Sequence, residues 1–253
     1  MLRSYLTLAL RTLRRRRGYT AVNVVGLTVG LACCALVAVF LEHELSYDTH
    51  HKDADRIYRI LTDYRSSTYS TIPFQGYTGA GAAEQRSLAQ RLPDALPAVE
   101  QAANFEILSN NPTYVETKDG TRFQSDRQLV TNTGPAFADL FTFERLAGAP
   151  PEKALAQPYS AVLPRSTAQT YFGDDNPIGQ TLTIDSLTTT VRAVVADPPA
   201  NSRITFDLAL QVKTIPNWGA YHYLRLADGA DPEAVTSEIA GVMDEVNPDR
   251  TND

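Results

Sequence analysis

A chain of 253 residues with 43% hydrophobic and 21% charged side chains, 15 Pro and 14 Gly is long enough to bury a sizeable core. That composition excludes intrinsic disorder, a collagen-like repeat and a polytopic membrane bundle. The net charge of −6 hides a split, because residues 1–17 carry six Arg and no acid, leaving 17 basic against 29 acidic residues, or −12, beyond them. A basic stub on an acidic body argues against nucleic acid as a partner and favours anionic lipid.

Residues 1–17 place Leu2, Leu6, Leu10 and Leu13 at helical spacing with Arg between them, the pattern of an amphipathic helix in the headgroup layer. Gly18 to Leu41 is a run of 24 residues without a charge. As a helix it is about 36 Å long against a hydrocarbon core of about 30 Å, enough to span. Arg14, Arg15, Arg16 and Arg17 lie before the run and Glu42, Glu44 and Asp48 after it, so the positive-inside rule puts 1–17 in the cytoplasm and exports residues 42–253.

Two rivals to a retained span fit the sequence less well. A cleaved signal peptide also begins with a basic region and an apolar stretch, but this stretch exceeds the usual length and no small-x-small site follows it before Glu42. Gly30-Leu31-Ala32-Cys33 faintly resembles a lipoprotein cleavage box, yet Gly stands where Leu is wanted and the apolar run continues past it. Within the span Gly26, Gly30 and Cys34 make a small-residue stripe of the G-x-x-x-G kind, which allows close approach of another helix. Cys33 and Cys34 are neighbours on that helix and point about 100° apart, too divergent to bridge.

Beyond the span, 42–58 reads as a helical extension entering a strand over 57–62. Ser66–Ala83 reads as a loop and Glu84–Arg91 as a helix. A strand over Val99–Leu108 leads to a hairpin, Tyr114–Phe123, turning at Asp119-Gly120, and Val130 continues the strand pattern. Phe137, Leu140, Phe141 and Phe143 form an apolar group on a short helix expected to cover a sheet. A strand over Tyr159–Leu163 precedes a helix over Pro164–Phe172, with Pro first. Thr181–Asp185 and Thr190–Val195 alternate as a second hairpin about Ser186. Strands over Phe206–Val212 and Tyr221–Leu226 follow, and Val235, Ile239, Val242 and Val246 mark a last amphipathic helix. The fold class is α+β: one N-terminal transmembrane helix, then a mixed α/β extracytoplasmic domain with two lobes divided near residue 100.

The body offers little for catalysis. There is no Gly-Lys pair for a nucleotide-binding loop and no G-x-S-x-G elbow. His222 in Tyr221-His222-Tyr223-Leu224 reads as an outward-facing strand residue. His43, His50 and His51 stand among Glu42, Glu44 and Asp48 as a solvated collar, with spacing wrong for a zincin. Asp174-Asp175 reads as a turn after a helix. No catalytic, cofactor or metal set is expected, although an exported hydrolase using Asp174 or Asp197 stands as a remote rival.

Several strings together carry a resemblance: Asn23-Val24-Val25-Gly26-Leu27, Glu44-Leu45-Ser46-Tyr47-Asp48, Ala54-Asp55-Arg56-Ile57-Tyr58-Arg59, Phe172-Gly173, Asn176-Pro177-Ile178-Gly179-Gln180, Val194-Val195-Ala196-Asp197 with Pro199 and Ser202, and Tyr223-Leu224-Arg225-Leu226. In this order they resemble the N-terminal part of a MacB/FtsX-type ABC transporter permease with its periplasmic core domain. The resemblance implies a non-catalytic permease of the bacterial inner membrane, dimeric in the full transporter, whose partners are an ATP-binding subunit and three further permease helices. It implies that Gly26, Gly30 and Cys34 pack the span, that Glu44, Tyr47, Asp48, Arg56 and Tyr58 relay motion outward, and that Asn176, Pro177, Gly179, Gln180 and Asp197 build the outer domain. No second apolar span follows Val246, so the chain reads as a truncated or fragmentary permease. The alternative is a free-standing membrane-anchored binding or adaptor domain.

Overall fold

The structure is a computed structural model that describes residues 5, 11, 13–64, 67–69, 87–108, 113–131, 133–184, 187–212 and 220–246. It divides into two compact units, Met1–Tyr47 and Asp48–Asp253. The expected division near residue 100 is therefore corrected. The strand that begins there pairs on both of its sides and welds the flanking regions into one sheet.

The first unit is dominated by helix α1, Arg17–Leu45, long and apolar enough to cross a membrane. None of its residues is buried by protein. The Thr28 hydroxyl donates to the Val24 carbonyl at 2.7 Å, which removes the one exposed hydroxyl in the middle of the run from competition with lipid. The helical extension expected to reach Tyr58 stops at Leu45. There Ser46 turns back, its N–H donating to Glu42 O at 3.1 Å and its hydroxyl to His43 O at 2.7 Å. Leu2, Leu6 and Leu10 of the expected amphipathic stretch lie outside the described residues.

The second unit is a mixed sheet. A 3-10 turn, Ala54–Arg56, leads into β1 (Ile57–Arg59), followed by a separate two-stranded hairpin of β2 (Thr62–Tyr64) and β3 (Ser67–Tyr69). The expected loop Ser66–Ala83 thus contains a strand, and residues 70–83 lie outside the described set. Helix α2 (Leu88–Ala95) starts at a capping box, with Ser87 and Gln90 exchanging side-chain and backbone bonds. Then come β4 (Val99–Leu108), β5 (Thr113–Thr117), β6 (Arg122–Ser125), β7 (Gln128–Thr131) and α3 (Gly134–Leu140). The chain continues through β8 (Arg145–Gly148), α4 (Pro151–Ala154), β9 (Ser160–Pro164), α5 (Arg165–Phe172), β10 (Thr181–Ile184), β11 (Leu187–Val195), β12 (Leu208–Gln211), β13 (Tyr221–Leu226) and α6 (Pro232–Val246). Pro164 ends β9 and caps α5 instead of opening it.

The sheet order is β1-β13-β4-β7-β12-β9-β11-β10-β5-β6, with β8 also paired to β11. β7/β12 and β9/β11 are parallel, and the other pairs are antiparallel. Central strands β9 and β12 are buried along their whole length, which is why Ala161-Val162-Leu163 and Leu208-Ala209-Leu210 are apolar at consecutive positions instead of alternating. Alternation then divides them: Ala161 and Leu210 join one core with Ala168 and Tyr171 of α5, while Val162 and Ala209 join another with Phe137, Leu140 and Phe141. A third core packs Leu88 and Leu92 of α2 and Val235 and Ile239 of α6 on Ala102 and Leu224. The aromatic group expected to cover a sheet does so, with the Phe105 ring 5.5 Å from Phe137 and 6.0 Å from Phe141. Gly134 allows the start of α3 to approach closely, because a Cβ there would collide with the Leu155 carbonyl.

Candidate functional site

Asp48 to Arg59, the first residues of the sheet unit, are fixed to it by every type of polar contact the chain offers. Asp48 is left-handed at φ 59°, a conformation Asp tolerates better than most L-residues. Its N–H donates to Asn201 O at 3.0 Å, and its Oδ1 accepts from the Arg203 N–H at 2.8 Å and the Ser202 hydroxyl at 3.4 Å. The connection from β11 to β12, which lie on either side of β9, is thereby tied to the start of the domain.

His51 is the next anchor, and it is buried rather than part of a solvated collar. Its N–H donates to Asp48 O at 3.2 Å, its Nδ1 accepts from the Thr142 N–H at 3.2 Å, and its ring meets Phe141 edge-on at 5.3 Å. Burial, helped by neighbouring His50, pulls its pKa down to about 4 against the opposing charge of Asp48. A neutral imidazole is what an acceptor at Nδ1 requires. Lys52 adds a bond from its N–H to Thr142 Oγ1 at 2.7 Å.

Asp53, also left-handed at φ 60°, opens a four-membered ion cluster. Arg56 meets Asp53 at 3.1 Å and Glu100 at 3.2 Å and donates to Leu226 O at 2.9 Å. Arg225 meets Glu100 at 3.1 Å and Asp53 at 3.8 Å and donates to Gln101 Oε1 at 2.9 Å. The hydrogen bond from Arg56 holds the Asp53 carboxyl below its ordinary range. β1 then pairs antiparallel with β13, Ile57 opposite Arg225 and Tyr58 opposite Leu224, and Ile60 N–H continues to His222 O at 2.9 Å. These carboxylates already accept from cations and backbone N–H groups, which fixes this stretch of chain to the sheet.

The sequence-derived relay residues divide between the two units. Asp48 and Arg56 lie in this clamp, and Tyr58 contributes backbone while its side chain is exposed. Glu44 and Tyr47 belong to the helical unit, where Tyr47 N–H donates to Glu44 O at 3.5 Å and the Tyr47 hydroxyl lies 3.5 Å from His43 Nε2. Arg14, Arg15, Arg16 and Arg17 are exposed, the Arg17 Nε donating to Arg14 O at 3.2 Å. A Cβ on Gly26 or Gly30 would meet nothing within 4 Å, and Cys34 is exposed on the same helix.

The turn residues serve the sheet. Asn176 Oδ1 accepts from the Ile178 N–H at 3.0 Å, and the Gln180 N–H donates to Pro177 O at 3.1 Å. Gly179, at φ 85°, donates to Val191 O at 2.8 Å, a geometry that favours glycine. Asp197 Oδ1 accepts from the Ser166 N–H at 3.0 Å and hydroxyl at 2.7 Å, capping α5 from outside it. Asp174 and Asp175 are exposed in the turn after α5. Sequence reasoning missed His51, Asp53 and Glu100 as clamp residues. Only the Arg225 string carried a signal, and that came from resemblance.

Residues 20–242 match the MacB-like periplasmic core domain. The chain belongs to that family. A domain described as that of a permease protein from Porphyromonas gingivalis shares the fold of this MacB-like chain at 23% identity and TM-score 0.60, over 78% of this chain and 89% of that one. The periplasmic region of MacB from Actinobacillus actinomycetemcomitans aligns at 15% identity and TM-score 0.49, covering 66% and 80% of the two chains. The extracellular domain of the ABC-type transporter YknZ from Gram-positive bacteria aligns at 10% and 0.48, covering 75% and 91%. No curated protein matches the chain. Family membership gives the ABC-type permease context. One N-terminal apolar helix ahead of such a domain is the arrangement of a membrane-anchored extracytoplasmic protein.

Proposed function

We propose that this chain is a non-catalytic permease subunit, or the N-terminal portion of one, that couples ATP hydrolysis by a cytoplasmic partner to movement of its extracytoplasmic sheet. The observation that supports this reading is the Asp48–Arg59 clamp. The residues that directly follow an apolar helix are bound through Asp48, His51, Arg56 and β1 to three separated parts of the domain. A displacement of the chain at Asp48 is thus shared by strands instead of being absorbed in a slack linker. Gly26, Gly30 and Cys34 form the face on which further permease helices pack, and Arg14 to Arg17 keep the N-terminus in the cytoplasm of an inner membrane. The transporter acts as a dimer for export or envelope remodelling.

Tyr58→Cys supplies the test, since position 58 is exposed and the native cysteines lie in α1. In intact cells a membrane-impermeant maleimide should label it, and the labelling rate should change when the ATPase is trapped with vanadate. Asp48→Ala should abolish that change without preventing labelling. A rate indifferent to nucleotide would favour the free-standing anchored adaptor, for which the self-contained cores of the sheet unit would suffice.

A further inference from the structure

His51 is a buried titratable group at the start of the sheet unit, and its hydrogen bond fixes which form of the ring fits there. The Thr142 N–H donates to Nδ1 at 3.2 Å. A backbone N–H is a donor only, so Nδ1 must offer a lone pair and the ring proton sits on Nε2. That Nε2 has no hydrogen-bond partner among the described residues. Asp48 Oδ1 lies 3.9 Å from it, too far for a hydrogen bond yet close enough to attract a charged ring.

The charges that act on the ring come from its own stretch: Asp48, and exposed His50, whose ring centroid is 4.0 Å away. On the other side it meets the Phe141 ring and the Thr142 N–H. Beyond Phe141 stands Tyr223 of β13, with ring centroids 5.2 Å apart, and Tyr223 in turn lies in the field of Asp48, Arg59 and Arg203. Asp48 Oδ1 is already engaged by the Arg203 N–H at 2.8 Å and the Ser202 hydroxyl at 3.4 Å. One carboxylate oxygen thus stands between the ring and the β11–β12 connection.

We propose that His51 is an acid-operated latch: a proton on Nδ1 expels the Thr142 N–H, draws the ring's Nε2–H to Asp48 Oδ1 in competition with Arg203, and loosens residues 48–52 from a sheet that stays folded. Burial, helped by His50 and opposed by Asp48, pulls the pKa of the latched ring from 6.5 to about 4. The latched state therefore binds fewer protons than the open one. It is fully favoured above pH 6.5 and loses ground as pH falls toward 4. The neighbouring ion cluster does not follow in that window, because the hydrogen bond from Arg56 holds the Asp53 carboxyl below its ordinary range. The bonds from Asp48 N–H to Asn201 O and from Lys52 N–H to Thr142 Oγ1 involve no titrating atom, and they remain as a tether from which the latch can reclose. How release alters coupling rests on the relay reading; the release itself does not.

The other buried histidine supplies the contrast. His222, expected to face outward, is 2% exposed, and that expectation is corrected because β13 presents both faces to cores. Burial pulls its pKa to about 4 as well, but it sits within the sheet opposite Asn104. Its protonation burdens the sheet as a whole and not the attachment of residues 48–52.

Hydrogen-exchange mass spectrometry of the full chain in detergent micelles, corrected for the intrinsic pH dependence of exchange, reads the latch in peptides spanning 140–144 and 201–205. Between pH 7 and pH 4.5 their protection should fall by about fiftyfold, the ratio that titration near 6.5 when open and near 4 when latched allows. Peptides from β9 and β12 should keep theirs. His51→Asn, whose amide oxygen replaces Nδ1 as an acceptor that does not titrate, should cancel the fall at 140–144. If that variant fails to fold, Asp48→Asn decides: its amide oxygen still accepts from the Arg203 N–H but has no charge to draw the ring. Protection at 201–205 should then be indifferent to acid while that at 140–144 still falls. Equal protection at the two pH values, a loss shared by β9 and β12, an undiminished fall in His51→Asn, or acid-sensitive protection at 201–205 in Asp48→Asn would each overturn the latch. No nucleotide or partner takes part, so failure here leaves the relay reading to the labelling of Tyr58→Cys.

Discussion

The apolar helix and the sheet domain bury their hydrophobic residues by opposite means. Helix α1 hides none of its side chains within the protein, so its stability depends on lipid or other helices outside this chain. The sheet domain fills three cores from its own residues, including Phe105, Phe137, Phe141 and Leu208 with almost no exposure. A single sequence thus solves burial twice, once by choosing its solvent and once by folding on itself. The lesson is that damage should stay on its own side of Asp48, and four experiments on the full chain in detergent can break or sharpen that contrast.

The largest effect is expected from Phe105→Ala, which removes a ring in contact with Phe137, Phe141 and Tyr223. Loss of a buried Phe costs about 3–5 kcal/mol, so urea unfolding of the sheet domain should shift by that amount while the helix stays in the micelle. An unchanged midpoint would mean that this core is not packed as described.

Acid comes next. His51 and His222 have pKa values lowered to about 4 from 6.5. A lowered histidine pKa means that the unfolded chain binds more protons between those limits. Stability contributed by the two neutral rings is therefore full above pH 6.5 and lost as pH falls toward 4, by up to about 3 kcal/mol for each. Unfolding curves at pH 7 and pH 4.5 check this, and His222→Gln should flatten the difference. Asp53 acts in a lower window. Its folded pKa is depressed, so its contribution persists above its unfolded value and vanishes only as pH falls further.

A smaller change is expected for Asp48→Ala. It removes the acceptor for Arg203 N–H and leaves a left-handed residue without the side chain that suits it. About 1–2 kcal/mol is the usual scale for losing such a bond. Limited proteolysis should detect it as faster cutting near residues 201–203, and equal rates in variant and parent would remove Asp48 from the clamp. Least of all, Gly26→Leu with Gly30→Leu should leave domain unfolding unchanged and act only on association with co-expressed permease helices. A shifted unfolding midpoint would show that the two units are not separate in stability.

Much of the fold was legible because it rests on local signals. The charge-free run, the Asp119-Gly120 hairpin, the Val99–Leu108 and Tyr221–Leu226 strands and the last amphipathic helix all stand where periodicity puts them. Short elements such as β8 and α4 were missed, because four residues give too little periodicity to read. The clamp was half legible: Asp48 and Arg56 were singled out, but Glu100 and Arg225 join them only through pairing of β1, β13 and β4. His51 and His222 were misplaced for one reason. Histidine next to polar or aromatic neighbours carries no sign of whether another layer will cover it.

By itself, then, the sequence determined which segment is long and apolar enough to cross a membrane and which stretches become strands or helices, since these follow from composition and repeat within a few residues. Tertiary structure alone decided that one sheet continues across residue 100, that Asp48 meets residues 201–203, and that His222 is buried opposite Asn104. Those outcomes depend on register between strands more than one hundred residues apart, and register is set by the packing of whole faces.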